Sequence, residues 1–140
     1  MRGTKPHLVV DNSAVKRVPS PPAWLSKDAK AEWRRVMPIL VERKILTTAD
    51  LGSLENYCTA IGQVREMERH LQEHGHVFEA FKDTENGPIS LGMKRNPAVG
   101  IQSDAMTRAR LLAAELGLTP VSRSRPSIRD DDDDDTLLDD

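Results

Sequence analysis

The strongest constraint on the fold is a run of apolar residues at helical spacing in the middle of the chain. Leu51, Leu54, Cys58, Ile61, Val64, Met67 and Leu71 recur at steps of three and four. That period places them on one face of an α-helix. Thr47-Thr48-Ala49-Asp50 reads as its start and Gly75 as a left-handed stop. Such a helix is about 25 residues, or roughly 37 Å, long. It exceeds what a small domain needs to cover itself, which predicts packing between subunits.

The rest of the chain supports a mainly α fold. Its few aromatics are Trp24, Trp33, Tyr57, Phe78 and Phe81, so the core rests on Leu, Ile, Val, Met and Ala. Ser26 reads as an N-cap, with Asp28 in the first turn, where a carboxylate complements the helix dipole. Ala29, Trp33, Val36, Met37 and Leu40 follow at helical spacing, and Pro38 within them predicts a kink or an early end. A third helix starts at Asn96-Pro97, buries Ala98, Ile101, Ala105, Ala109, Leu112 and Leu116, and closes at Gly117. Between the last two helices, residues 76–81 read as a strand, Asn86-Gly87 as a turn and Ile89–Met93 as a returning strand. Their separation is too long for a tight hairpin, so the segment is expected to be a short β-hairpin or an irregular insert.

These elements divide the chain into three parts. Residues 1–22 form a flexible basic arm rich in proline. Residues 23–120 form a helical domain. Residues 121–140 form a tail, basic and then acidic, that is expected to be disordered. No internal repeat is evident. A single cysteine excludes a disulfide framework. No stretch approaches the roughly 20 apolar residues of a spanning helix. The expectation is a protein of the reducing cytosol with no membrane partner.

Charge is unevenly distributed. Eight of the 22 acidic residues lie in residues 130–140, leaving 14 acids against 20 basic residues in the body. The body is therefore +6 and the tail −8, and the net charge of −2 hides a basic protein. Residues 1–44 hold ten Lys/Arg and four acids, and residues 94–129 hold seven and two. Residues 45–93 hold three and eight. A basic surface on both sides of an acidic helix points to phosphate contact. Lys27, Lys30 and Arg34 share one flanking stripe of the first helix. With Arg43, Lys44, Lys94, Arg95, Arg123 and Arg125 they are the candidate DNA contacts.

Catalytic chemistry is not legible. The chain holds no GxxxxGK[ST] phosphate loop and no HExxH. His70 and His74 stand four apart, a metal-compatible spacing, but no further ligand completes a site and a polar helix end explains them. Cys58 falls on an apolar helical face, as a structural thiol does. The Asp run lacks the glycine and spaced ligands of a calcium loop. No cofactor is expected.

Several short segments, taken in order, resemble the small subunits of phage terminases. They begin with Pro21-Pro22-Ala23-Trp24-Leu25-Ser26, Ala29-Lys30, Glu32-Trp33, and Val36 with Pro38 and Leu40. They continue through Leu46-Thr47, Asp50, Tyr57-Cys58 and Asn96-Pro97, and close on Glu115-Leu116-Gly117-Leu118-Thr119-Pro120 with Ser122-Arg123. The resemblance covers most of residues 19–125. It implies a non-enzymatic helical subunit that forms a closed ring larger than a dimer in the host cytoplasm. It implies binding to double-stranded viral DNA and delivery of that DNA to the large subunit, which holds the ATPase and nuclease. A tail of Asp130, Asp131, Asp132, Asp133, Asp134 and Asp135 with Leu137 and Leu138 suits a contact with the large subunit. The alternative is a small dimeric DNA-binding regulator reading a palindrome. A metal enzyme built on His70 and His74 ranks behind both.

Overall fold

The computed structural model of the chain describes residue 15 and residues 17–120. Three helices carry the fold: α1 (Lys27–Glu42), α2 (Leu51–His74) and α3 (Pro97–Glu115). A short 3-10 turn, Thr48–Asp50, leads into α2. An antiparallel hairpin of β1 (Val77–Thr84) and β2 (Gly87–Arg95) joins α2 to α3.

The helix starts are capped as their residues dictate. Ser26 Oγ accepts from the Ala29 amide at 3.2 Å, and Asn96 Oδ1 accepts from the Ala98 amide at 3.0 Å. At the entrance to α2, the Thr47 amide and hydroxyl both donate to Asp50 Oδ2 at 2.9 Å. The end of α3 is a Schellman motif. Gly117 (φ 73) donates to the Ala114 carbonyl at 3.2 Å, and Leu118 donates to the Ala113 carbonyl at 2.9 Å. Gly75 also has positive φ (82), but its ψ of 163 is extended. It therefore launches the strand directly instead of forming the expected left-handed cap.

α2 is the central layer, with α1 antiparallel on one side and α3 antiparallel on the other. The core joins Leu25, Ala29, Trp33, Val36, Met37 and Leu40 to Leu54, Tyr57, Cys58 and Ala60, and then to Ala109, Ala113 and Leu116. All five apolar positions read for α1 are buried. The Trp33 indole donates to the Pro19 carbonyl at 2.9 Å and ties the preceding segment down.

Four expectations need correction. Pro38 does not end α1, which continues to Glu42. Pro38 and Arg34 both face solvent, so water can hydrate the Arg34 carbonyl that the missing amide leaves free. The face of α2 is broader than one stripe. Leu54, Cys58 and Leu71 are buried, but Leu51, Ile61, Val64 and Met67 are only half-buried, and Tyr57, Ala60 and Gly62 are buried instead. A helix packed on two sides has no single apolar face. On α3 the buried row is Ala98, Gln102, Ala105, Ala109 and Ala113, while Ile101 is exposed and Leu112 half-buried. Small residues let α3 approach α2 closely, and Gln102 joins their row because it donates to Glu68 Oε2 at 2.8 Å. The hairpin is tight after all. Thr84 pairs with Gly87 across Glu85-Asn86, and Gly87 takes the positive φ (99) that the turn requires. The strands are longer than read, because polar Lys82, Asp83 and Thr84 continue β1.

Candidate nucleic-acid interface

The cations of this protein fall into two groups. Arg35, Arg65 and Arg69 hold helices together. Glu32 is 1% exposed and accepts from Arg35 on its own helix and from Arg65 of α2 at 3.3 Å. Asp28 accepts two hydrogen bonds from Arg69, one of them at 3.1 Å. The Arg69 hydrogen bonds hold the Asp28 carboxyl below its ordinary pKa. A buried carboxylate survives only when charge and hydrogen bonds replace its water. These arginines are therefore committed to the α1–α2 contact. Sequence reading missed Glu32 because it counted the residue as one more acid. Its place beside the buried stripe was the available signal.

The remaining candidates are free of such duties. Lys27, Arg34, Arg43, Lys44, Lys94 and Arg95 are exposed and Lys30 is half-exposed. The ion pairs among the described residues involve Arg35, Arg65, Arg69 and His74, and none of these seven. Arg17, Lys82 and Arg110 are also exposed and free of ion pairs to described residues, and the sequence reading left them out.

The fold does not gather the seven into one patch. Lys27, Lys30 and Arg34 lie together on α1 along one flank of its buried stripe. The Asp28–Arg69 pair brings the start of α1 beside the end of α2. Asn96 fixes the root of the hairpin there too, donating from Nδ2 to the Gly75 carbonyl at 2.9 Å. Lys94 and Arg95 close β2 at that root. Arg43 and Lys44 sit at the other end of α1, about 24 Å away for 16 residues. There Ile45 touches Gly117, where α3 ends. Arg123 and Arg125 lie outside the described residues, as do Asp130–Asp135, Leu137 and Leu138.

Cys58 is fully buried, and burial pushes its thiol up to about 12. Burial likewise raises the Tyr57 hydroxyl. The exposed rings of His70 and His74 stand 4.5 Å apart, and no cluster of three metal-ligating side chains occurs among the described residues. A shallow cleft of about 380 Å³ between α2 and α3 is lined by Asn56, Thr59, Gln63 and Arg108, with Arg108 donating to Gln63 at 2.9 Å. No helix among the described residues is long and apolar enough to cross a membrane.

A family model described as "Phage terminase, small subunit" matches residues 29–133, three quarters of the chain. No curated protein and no solved structure matches.

Proposed function

The chain belongs to the phage terminase small-subunit family, and on that premise we propose that it works as a closed ring of more than two copies that binds packaging DNA through phosphate contacts. The family is non-catalytic, and it implies DNA and the large terminase subunit as partners. Membership displaces both rival readings, the dimeric regulator and the metal enzyme.

One observation supports the DNA reading most. Lys27, Lys30, Arg34, Arg43, Lys44, Lys94 and Arg95 stand wholly or partly in solvent without ion-pair partners among the described residues, while the arginines the fold needs are already paired. Unpaired surface cations cost little to desolvate against phosphate and release counterions when they bind. With Arg123 and Arg125 they form a two-ended basic surface along α1. Few amide or aromatic readers stand beside them, so binding is sequence-tolerant and steeply salt-dependent.

The ring reading is supported by apolar surface that the subunit does not cover itself. Ile101, Met106 and Leu111 of α3 and most of the large hairpin side chains face solvent. The assembly acts in the host cytoplasm, where the viral DNA and the large subunit are found. The tail, Asp130–Asp135 with Leu137 and Leu138, docks on a basic surface of the large subunit.

Affinity for double-stranded DNA measured against salt tests the phosphate reading. Each lost phosphate contact should flatten the slope of log K against log salt by about 0.9. Lys27→Glu, Lys30→Glu and Arg34→Glu together should therefore remove roughly 2–3 from it. A wild-type affinity that is flat between low and moderate salt overturns the reading. Deleting residues 130–140 tests the tail. Docking predicts lost stimulation of the large-subunit ATPase with unchanged DNA affinity. A rise in DNA affinity at low salt would instead mean that the tail competes with phosphate.

A further inference from the structure

The hairpin shows large apolar side chains on both faces. Side chains alternate along a strand, and directly paired residues share a face. The register therefore places Val77, Glu79, Phe81 and Asp83 on one face with Met93 and Arg95. It places Phe78 and Lys82 on the other with Ile89 and Lys94. The Ser90 hydroxyl donates to Glu79 Oε1 at 2.7 Å, as two residues of one face should. All of these side chains are exposed, and among the described residues no helix packs on either face. A two-stranded hairpin without cover is marginal in water. Cover from its own body could reach only one of the two faces.

The faces also differ in charge. The first carries Glu79 and Asp83 against a single cation, Arg95, at the root. The second carries Lys82 and Lys94 and no acid. None of these charges ion-pairs with a described residue. We infer that each hairpin is sandwiched between the hairpins of two neighbouring copies, acidic face against basic face. The inference rests on the ring reading and specifies the contact that builds the ring. A twofold dimer would set acid against acid or lysine against lysine, which is repulsive. Acidic face on basic face is a heterologous contact, and repeated heterologous contacts close into a ring when the rotation permits. Every subunit then has one neighbour for each apolar face, and Lys94 and Arg95 serve this contact, leaving the cations of α1 with Arg123 and Arg125 to meet phosphate. Stacking of faces fits better than pairing of edges. Pro88 has no amide to give, and the irregularity where Phe81 pairs with Ser90 and Ala80 with Gly92 interrupts the β2 edge.

Charge reversal read by native mass tests this. Lys82→Glu with Lys94→Glu makes both faces acidic, and Glu79→Lys with Asp83→Lys makes both basic. Each double variant should fall to species smaller than the wild-type assembly at micromolar concentration. The quadruple variant, or an equimolar mixture of the two doubles, should recover large assemblies. Circular dichroism should show unchanged helix, because the hairpin lies off the core. Double variants that keep the wild-type mass overturn the inference while leaving the ring intact. So does a Lys82→Glu, Lys94→Glu variant that loses only DNA affinity, with no recovery in the quadruple, since that face would then contact phosphate. A wild-type monomer or dimer would instead defeat the ring reading itself.

Discussion

The α1–α2 contact and the hairpin use their charges in opposite ways. Along α1–α2, two acids of α1 have basic partners: Asp28 with Arg69, and Glu32 with Arg35 and Arg65. The helices approach so closely at Gly62 that an added Cβ would lie 3.1 Å from the Ala29 backbone nitrogen. Among the described residues the hairpin has lysines and carboxylates without ion-pair partners and apolar side chains without cover. A region that is complete within one chain carries stability. A region that is incomplete within one chain is where other molecules are expected to supply the rest.

Breaking the completed region should cost the most. Replacing both Arg35 and Arg65 by Met leaves the Glu32 carboxylate buried and unpaired. Chemical denaturation should show a loss of about 3–5 kcal/mol. Replacing Glu32 by Gln should cost less, because both guanidiniums already reach solvent. Gly62→Val comes next. It pushes a methyl-bearing carbon against Ser26 and Ala29, and overpacking of this kind costs about 1–3 kcal/mol.

Acid should weaken the same contact. The folded Asp28 carboxyl titrates below its ordinary value because Arg69 donates to it. Its contribution is therefore complete above the unfolded pKa, near 4. It is lost as pH falls through the lower folded value. Melting temperatures measured downward from pH 5 should drop, and Asp28→Asn should flatten part of that drop. Cys58 offers a check on burial. A thiol near 12 stays protonated at pH 8, so a maleimide should label it only after unfolding.

The hairpin should give the smallest effect on stability. Phe81→Ser and Ile89→Ser each expose no core, and surface changes of this kind stay within about 0.5 kcal/mol. Their effect should fall on assembly mass. A large loss of helical stability from either change would erase the contrast between the two regions.

Much of this was legible in the sequence. Ser26 and Asn96 fixed two helix starts through side-chain capping, and Trp33, Met37 and Leu40 marked the buried face of α1 through their spacing. Misreadings came where a neighbour decides the outcome. Ile101 fits the helical period as Ala98 and Ala105 do, but the close approach of α2 buries Gln102 in its place. Pro38 disrupts an isolated helix, yet on a solvated face the lost hydrogen bond is replaced by water. The tight hairpin was missed because Lys82, Asp83 and Thr84 are polar, and a hairpin outside the core has no apolar alternation to show. Of the cations, the common stripe of Lys27, Lys30 and Arg34 on α1 was legible from spacing. The structural duty of Arg65 and Arg69 depends on partners more than 30 positions away, which no local pattern reveals.

On this reading the chain completes itself by closing into a ring. Native mass of the wild-type protein across micromolar concentrations tests it most directly. One dominant species of more than two subunits is expected, with a mass that does not grow with concentration, as a closed ring requires. A monomer or a dimer across that range would contradict it, and so would an open series of masses that lengthens as concentration rises.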